Sequence, residues 1–243
     1  MSGFISVFKR ELKAYFSTSV AYVFLVVFLA WSGWRTFNGG FFQMRQASMQ
    51  LFFSNMPELF ILLVPAIAMR LWAEERRSKS IELLFSLPIT TTQAVLGKFF
   101  AAWTVLVLAL LLTFPMVLTV SYLGDPDWGQ IISGYVASLL LAGAYLAIGS
   151  FFSILTRSQA IAFVLGVVFC GFFFLLANPS AMSVMSYFAP LSVVEAMESL
   201  SFQARFDSMN RGVFELRDIL FFVLLTAGWL WANVILLEER RAA

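Results

Sequence analysis

The chain has no histidine among its 243 residues and only one cysteine, Cys170. The lack of histidine excludes histidine metal sites, Ser-His-Asp triads and histidine proton switches together. A single cysteine cannot form a disulfide within the chain. Charged residues are also scarce, at 12% against about 25% in soluble domains. These shortages exclude several common classes of enzyme and indicate that little of the chain is soluble surface.

Long apolar runs fill most of the sequence, and 60% of its residues are hydrophobic. One helix needs about 20 mostly apolar residues to cross a bilayer. Six stretches approach or exceed that length: Val20–Phe37, Leu51–Met69, Phe99–Tyr122, Ile131–Leu155, Ala160–Ala177 and Ile219–Leu237. The predicted fold is a single all-α integral membrane domain, residues 1–243, with six transmembrane helices in the lipid bilayer. A net charge of +2 is too small to indicate a nucleic-acid partner.

Two prolines fall inside predicted spans. We expect Pro65 and Pro115 to kink the second and third spans without ending them, because neighbouring helices can satisfy the carbonyl groups that proline leaves free. The fourth span carries residues small enough to let other helices approach closely: Gly134, Ser138, Gly143, Ala147 and Gly149. These residues are expected to serve helix packing more than a transport path.

The first 18 residues predict an amphipathic helix lying on the membrane surface. Apolar residues recur at helical spacing, and basic residues occupy the rest of the circumference. The apolar set is Phe4, Ile5, Phe8, Leu12 and Phe16, and the basic set is Lys9, Arg10 and Lys13. Since no small-residue cleavage site follows, we expect the first apolar run to remain as a span.

Basic residues predict the orientation, because cytoplasmic loops carry an excess of lysine and arginine. With both termini in the cytoplasm, the inner side holds Lys9, Arg10, Lys13, Arg70, Arg76, Arg77, Lys79, Lys98, Arg157, Arg240 and Arg241. The outer side holds fewer: Arg35, Arg45, Arg205, Arg211 and Arg217. The one long outer segment, residues 178–217, predicts one or two re-entrant or interfacial helices, with a helical pattern around Ser192–Phe206.

Glu58 is a carboxylate about a third of the way into the second predicted span, where a charge is costly and indicates a functional site. It can face a translocation path, or it can pair with Arg35 near the outer end of the first span. Alternatively, Leu51–Asn55 lies outside the bilayer and Glu58 is merely interfacial. The sequence leaves these interpretations open.

A charged, amphipathic segment, residues 72–98, separates the second and third spans. Its first part predicts a helix over Leu71–Phe85 that ends before Pro88, because the residue preceding a proline avoids the α region. One of the three threonines at 90–92 is expected to cap a second helix, which runs into the third span. By composition alone, the segment is equally typical of an ordinary positively charged cytoplasmic loop.

The order of residues in this segment resembles the signature of ABC-2 type transporter permeases. The similar steps are Glu74–Glu75–Arg76–Arg77, Glu82–Leu83–Leu84, Leu87–Pro88 and Gly97–Lys98. Lys79–Ser80 departs from the pattern, since many members carry Gly-Thr there. The resemblance implies that residues 72–98 are the coupling-helix region, which docks on a separate ATP-binding subunit. The implied docking residues are Glu74, Glu75, Arg76, Arg77, Glu82, Leu83 and Leu84, with Glu11 and Lys13 bracing the same interface.

Two further parts of the chain resemble the gliding-motility (GldF-like) branch of that family: Phe8–Phe16 followed by Ala21–Phe24, and Ser208–Val213 followed by Leu216–Leu220. Such permeases are six-helix subunits of the bacterial cytoplasmic membrane that dimerise and pair with two ATPase subunits. The branch also implies a companion membrane subunit with a periplasmic region, so the permease pair is either a homodimer or a heterodimer. Branch resemblance does not imply gliding.

The chain lacks the phosphate-binding loop of an ATPase, Gly-x-x-x-x-Gly-Lys-Ser/Thr. Its one Gly-Lys pair, Gly97–Lys98, is followed by Phe99. We therefore expect a transporter subunit that is not itself an enzyme and holds no cofactor, with ATP and magnesium bound by the partner ATPase. Its expected function is to convert ATP hydrolysis by that partner into transport, in the direction of export.

Two other functions stay open at this point. The subunit can transmit ATP-driven motion to a periplasmic partner without passing a substrate, which suits spans that contain few polar residues. It can also be an ATP-independent secondary transporter. That function requires an essential carboxylate inside the membrane, and Glu58 is the candidate.

Overall fold

The computed structural model describes residues 2–43, 46–78, 88–176 and 199–242, and all regular structure within these ranges is helical. The helices are α1 (Ser2–Ser17), α2 (Ser19–Asn38), α3 (Gln50–Ser54), α4 (Met56–Ala68), α5 (Arg70–Arg77), α6 (Thr91–Leu111), α7 (Phe114–Leu123), α8 (Trp128–Leu155), α9 (Gln159–Leu175), α10 (Phe202–Asn210) and α11 (Leu216–Ala242). This agrees with the all-α fold class that the composition predicts.

Helix α8 is the centre of the bundle, and its partners are α3, α4, α5, α6, α9, α10 and α11. Its glycines allow this close packing. A Cβ atom on Gly134 would lie 2.4 Å from the Phe53 ring, and one on Gly149 would lie 2.6 Å from the Ala68 methyl carbon. Both separations are too short for real atoms, so only glycine fits. The prediction that small residues of this helix serve packing is confirmed at these two positions.

Four helical stretches are long and apolar enough to cross a membrane: Met56–Arg77, Thr91–Leu123, Trp128–Leu155 and Leu216–Arg240. Gly3–Ser17 and Ala21–Asn38 also qualify when taken as a pair, with a bend of 69° between them. Gln159–Leu175 is apolar but only 17 residues long. The described residues therefore support four or five spans by length and composition, and the count of six stays a prediction.

The second predicted span has different boundaries in the structure. Residues Gln50–Ser54 form the separate short helix α3, and α4 begins only at Met56. At its other end the helix passes Met69 and continues as α5, so the helical stretch ends at Arg77 rather than at Met69. Pro65 lies inside α4 without ending it, as predicted.

The third predicted span is interrupted ahead of Pro115. Helix α6 ends at Leu111 and α7 begins at Phe114, which places Pro115 in the first turn of α7. Proline is favoured there because its missing N–H would have no partner within the helix anyway. The predicted kink is thus a turn between two helices.

A capping box starts α6. The Thr90 hydroxyl accepts a hydrogen bond from the Gln93 backbone N–H at 3.2 Å, and the Gln93 side-chain oxygen accepts one from the Thr90 N–H at 3.4 Å. This confirms that a threonine in the 90–92 run caps the second helix of the charged segment. Residues 79–87, where the first helix of that segment is predicted to end, lie outside the described residues.

Part of the predicted outer segment is described. Helix α10 packs against α8, α9 and α11. The Phe202 ring is buried and stacks on Phe173 with centroids 4.8 Å apart. Residues 177–198 lie outside the described residues, so the helical pattern predicted around Ser192–Phe206 is described only at its end.

Candidate functional site

Helix α5 is the place where the charged segment meets the bundle. Its Leu71, Trp72 and Ala73 side chains are buried, whereas Glu74 is exposed. The Arg70 guanidinium and the Glu74 carboxylate form an ion pair at 3.0 Å across one helical turn, which supports the helix. Helix α5 therefore attaches to the core through one face and presents charge on the other.

One serine of α8 anchors the start of α5. The Ser153 hydroxyl accepts hydrogen bonds from the backbone N–H groups of Trp72 at 3.1 Å and Ala73 at 2.9 Å. It donates to the Met69 carbonyl oxygen at 2.9 Å. The first N–H groups of a helix have no partner within it, so this serine satisfies groups that would otherwise be buried and unpaired.

The last turn of α5 is also held by α8. The Arg76 guanidinium donates a hydrogen bond to the Ile154 carbonyl oxygen near the C-terminal end of α8. The carbonyl groups at this end lack partners within the helix and carry partial negative charge, which favours an arginine. Because both ends of α5 are bonded to α8, a movement of α5 must either move α8 or break these bonds.

Lys98 joins three helices in what we call the charge cluster: Glu11 of α1, Glu75 of α5 and Lys98 of α6, with Arg10 at its edge. The Lys98 Nζ atom lies 3.1 Å from Glu11 Oε1 and 2.9 Å from Glu75 Oε1. The lysine side chain is 2% exposed, and its Nζ lies 5.2 Å from the centre of the Trp72 ring. Since lysine is almost never fully buried unless paired, the two carboxylates account for its position.

A glycine explains how α1 reaches this cluster. A Cβ atom on Gly97 would lie 2.8 Å from Val7 Cγ1 and 3.3 Å from the Phe8 backbone nitrogen. The absence of a side chain at Gly97 lets the backbones of α1 and α6 approach, and α1 packs along α6 as a result. The amphipathic helix predicted from the first 18 residues is thus held against the bundle next to Lys98.

The electrostatic environment keeps Glu11 ionised. Burial disfavours its charged form, but the charge of Lys98 and hydrogen bonds from Arg10 and Lys98 outweigh this and lower the pKa of Glu11. Arg10 bridges the two carboxylates, at 2.7 Å from Glu11 and 3.5 Å from Glu75. In the described structure, the Glu75 Oε2 atom is buried without a hydrogen-bond partner. The charge cluster is therefore balanced in charge but not saturated with hydrogen bonds.

A cavity of about 340 Å³ opens beside the charge cluster. Helix α1 lines one wall through Arg10, Ala14 and Thr18, and α5 lines the other through Arg70 and Glu74. The cluster is consequently buried from the bundle side and accessible through this opening. A charged group of another protein can reach its carboxylates there.

The structure brings together part of the docking set that the resemblance implies. Glu11 and Glu75 belong to the charge cluster, and the exposed members on α5 are Glu74 and Arg77. Lys13 is exposed on α1 and forms no ion pair within the described residues. Three members lie outside the described residues: Glu82, Leu83 and Leu84.

Sequence reasoning missed Lys98 and Ser153. It counted Lys98 among the inner basic residues and in the Gly97–Lys98 step of the family signature, but gave it no ion-pair role. A signal was present, because a lysine that directly precedes a long apolar run must either extend to the interface or find a carboxylate. Ser153 gave no such signal, since a serine in an apolar helix commonly bonds to its own helix carbonyls.

At the other end of the bundle, Arg35 donates a hydrogen bond to Glu58. Glu58 lies in the first turn of α4, and its side chain is 55% exposed. The pairing with Arg35 is one of the arrangements that the sequence allows. The position in the first turn favours the interfacial interpretation over a carboxylate deep in a span.

A second ion pair at that end was not anticipated. Arg205 of α10 donates to Asp218 of α11 at 2.9 Å, and Asp218 is 1% exposed. Arg205 also donates to the Ser199 carbonyl oxygen at 3.1 Å and lies 5.7 Å from the centre of the Phe221 ring. This pair fastens the described part of the outer segment to the last helix.

Within the described ranges, no group of three Asp, Glu or Cys side chains is placed to hold a metal ion. The site consists of ion pairs and hydrogen bonds between helices. Such contacts hold helices together or release them when the helices move, so the chemistry that the site offers is mechanical.

The comparisons with known proteins agree with this description. The model of the family described as ABC-2 family transporter protein matches residues 35–237, a stretch that includes α5 and Lys98. A search of curated proteins found no match. The family match does not separate branches, so the gliding-motility branch stays a prediction. Because the matched stretch is most of the chain, the protein belongs to the ABC-2 transporter family, as a transmembrane subunit of an ABC transporter.

Proposed function

We propose that this chain converts ATP hydrolysis by a separate ATPase subunit into transport, as export across the bacterial cytoplasmic membrane. The observation that carries the proposal is the position of α5. It forms the last part of Met56–Arg77, a helical stretch long enough to cross the membrane. It exposes charge on one face and is bonded on the other face to α8 and to Lys98. A force applied to its exposed face reaches the bundle through bonds that are already formed.

The contacts suggest the route of this force. An ATPase that binds differently in its two nucleotide states shifts α5 between two positions. The hydroxyl of Ser153 passes the displacement to α8, and Lys98 passes it to α6 and α1. The exposed Glu74 and Arg77 supply the contact, together with Glu82, Leu83 and Leu84 from the sequence-based prediction.

The proposal includes the partners that the family resemblance implies. Two ATPase subunits bind ATP and magnesium, and a second permease subunit completes the transmembrane part as a homodimer or a heterodimer. The distribution of charge supports cytoplasmic termini: Arg10, Lys98 and Arg70 meet at one end of the bundle, and Arg35 and Arg205 lie at the other. The proposal also includes six transmembrane helices and membership of the gliding-motility branch of the family.

An affinity purification in mild detergent tests the proposal. The native chain is compared with Arg77→Glu and Glu82→Arg, and Arg217→Glu, an exposed arginine of the outer side, serves as the matched control. We expect an ATP-binding subunit to co-purify with the native chain and the control and to hydrolyse ATP. Either docking variant should lose it. The absence of any ATPase from the native preparation would contradict the proposal.

A second function differs only in what the motion achieves. The complex would transmit ATP-driven motion to a periplasmic partner without passing a substrate. Polar groups of the bundle are bonded to one another, as in the hydrogen bond from Asn233 to Ser150 at 2.8 Å and that from Ser138 to the Gly134 carbonyl oxygen at 2.7 Å. An ATPase-bound complex that transports nothing but binds an outer partner would favour this alternative.

The ATP-independent transporter is supported less well. It needs a carboxylate that titrates inside the membrane, and Glu58 pairs with Arg35 in the first turn of α4. Glu58→Gln should therefore leave transport and assembly unchanged. A loss of transport in this variant, with the ATPase still bound, would instead make Glu58 part of a path.

A further inference from the structure

Three arginines converge where α5, α8 and α11 end. Arg76 of α5 donates to the Ile154 carbonyl oxygen, and Arg240 of α11 donates to the Leu155 carbonyl oxygen at 3.5 Å. Arg157 follows two residues after the end of α8, and Arg240 and Arg157 lie close enough for their charges to act on Arg76. We call these three residues the arginine cluster.

Among the residues that the structure describes, the arginine cluster lacks the counter-charges that the charge cluster has. Among the ion pairs of the described residues, none involves Arg76, Arg157 or Arg240. Glu238 and Glu239 precede Arg240 on the same helix, but they too form no ion pair there. Neutral carbonyl oxygens accept hydrogen bonds from Arg76 and Arg240, and no carboxylate of the described residues pairs with the three positive charges. Arg157 and Arg240 are exposed, so an anion can approach them.

The surface beside the arginine cluster is apolar. Helices α9 and α11, which carry this surface, both pack on α8. Close to the arginines, Leu155 is 38% exposed, Ile161 is 53% exposed and Ile235 is 37% exposed. In a membrane these side chains face hydrocarbon. The arginine cluster therefore lies at the level where the headgroup region of a bilayer meets its hydrocarbon core.

We propose that the arginine cluster binds the phosphate of an anionic phospholipid, whose acyl chains lie against α9 and α11. Guanidinium groups bind phosphate oxygens with short, charge-assisted hydrogen bonds, and basic pockets between helices on the cytoplasmic side select anionic headgroups. The proposed orientation of the chain places this phospholipid in the cytoplasmic leaflet. The binding of its phosphate by the arginines does not depend on that orientation. A lipid held there bridges the ends of three helices, including α5.

Lipid binding to the purified full chain tests this proposal. Native mass spectrometry counts bound lipid, and thermal unfolding in detergent gives its affinity, with dioctanoyl phosphatidylglycerol, dioctanoyl phosphatidylcholine and inorganic phosphate as probes. The double variant R157Q/R240Q is compared with R211Q, an exposed arginine at the other end. We expect phosphatidylglycerol to bind the native chain and R211Q more tightly than phosphatidylcholine, and to bind the double variant about tenfold more weakly.

Three outcomes would overturn the proposal. Equal binding of the two lipids would remove the headgroup selectivity, and unchanged phosphatidylglycerol binding by the double variant would move the site elsewhere. Stabilisation by inorganic phosphate equal to that by phosphatidylglycerol would reduce the cluster to an anion site without a lipid. Co-purification of the ATPase is measured on the same variants. If R157Q/R240Q loses the ATPase while its lipid binding is unchanged, the arginines bind the ATPase and not a lipid. If the native chain recovers no ATPase, the proposed function fails, whatever the lipid measurements show.

Discussion

The two ends of the bundle each bury a charge, but with different surroundings. At the α5 end, Lys98 lies between two carboxylates from two other helices, and an open cavity of about 340 Å³ lies beside them. At the opposite end, Asp218 in the first turn of α11 pairs with the single cation Arg205. The first arrangement joins three helices and is accessible. The second joins neighbouring helices, and Asp218 is enclosed.

This difference separates two uses of buried charge. A pair with an enclosed carboxylate, such as that of Arg205 and Asp218, serves to hold one geometry, because breaking it leaves an unpaired charge. A cluster of several charges beside an opening can exchange partners when a helix moves, because Lys98 and Arg10 both lie within ion-pair distance of Glu11 and Glu75. Under the proposed function, we therefore expect motion at the α5 end and fixed structure at the other.

The largest effect is expected from Lys98→Met. The change leaves Glu11 and Glu75 with only the exposed Arg10 as a cation beside them, and removing one partner of a buried ion pair costs about 3–5 kcal/mol. Thermal unfolding in detergent should show the loss, and ATPase co-purification should fall with it. Lys9→Met, on the exposed face of α1, is the control and should change neither. If Lys98→Met and Lys9→Met had the same unfolding temperature and recovered the same amount of ATPase, the charge cluster would have no role in stability or in ATPase binding.

Asp218→Asn should destabilise the protein by a smaller amount, about 2 kcal/mol. Arg205 is left without its carboxylate, but it is partly exposed and keeps its hydrogen bond to the Ser199 carbonyl oxygen. The unfolding temperature should fall while the ATPase still co-purifies. If the outer variant released the ATPase as readily as Lys98→Met does, the two ends would not differ in function.

Ser153→Ala should act more locally. It removes the acceptor of the Trp72 and Ala73 N–H groups, and burying an unsatisfied donor costs about 1–3 kcal/mol. Hydrogen–deuterium exchange should rise in residues 70–77 more than elsewhere. Ser138→Ala, whose hydroxyl bonds within α8 to the Gly134 carbonyl oxygen, is the matched control. Unchanged exchange in α5 would mean that this serine does not anchor it.

The smallest effect concerns pH. The pKa of Glu11 is lowered from its ordinary value of 4.5, so its ion pairing stabilises the folded state above that pH. The contribution is lost as the pH falls through the folded pKa. The difference in unfolding temperature between the native chain and Glu11→Gln should be largest near pH 7 and narrow below about pH 4.5. A difference that is constant over this range would show that the charge of Glu11 plays no part.

The fold was predictable from the sequence where the signal was local. Apolar runs gave the helices, and the threonines at 90–92 predicted the cap that the Thr90–Gln93 box confirms. Small residues in the fourth span predicted close packing, which Gly134 and Gly149 confirm. Boundaries were less accurate: apolar length alone could not show that the helix continues past Met69, because the residues that follow are charged yet still helical.

The site was less predictable, because its contacts join residues far apart in sequence. Glu11 and Lys98 are 87 positions apart and meet only because Gly97 lets α1 pack against α6. Charge alone suggested that Arg205 faces the outer side, but not that Asp218 would be buried against it. The family resemblance supplied α5 as the docking region. The structure adds the residues that tie α5 to the bundle.

Hydrogen–deuterium exchange of the complex of the native chain with its ATPase tests the central claim most directly. Exchange is measured with and without ATP in residues 3–17 and 70–77, and in residues 202–218 for comparison. The account predicts that ATP changes exchange in the first two segments together and leaves the third unchanged. A change confined to residues 202–218, or a change in residues 70–77 without one in residues 3–17, would contradict it.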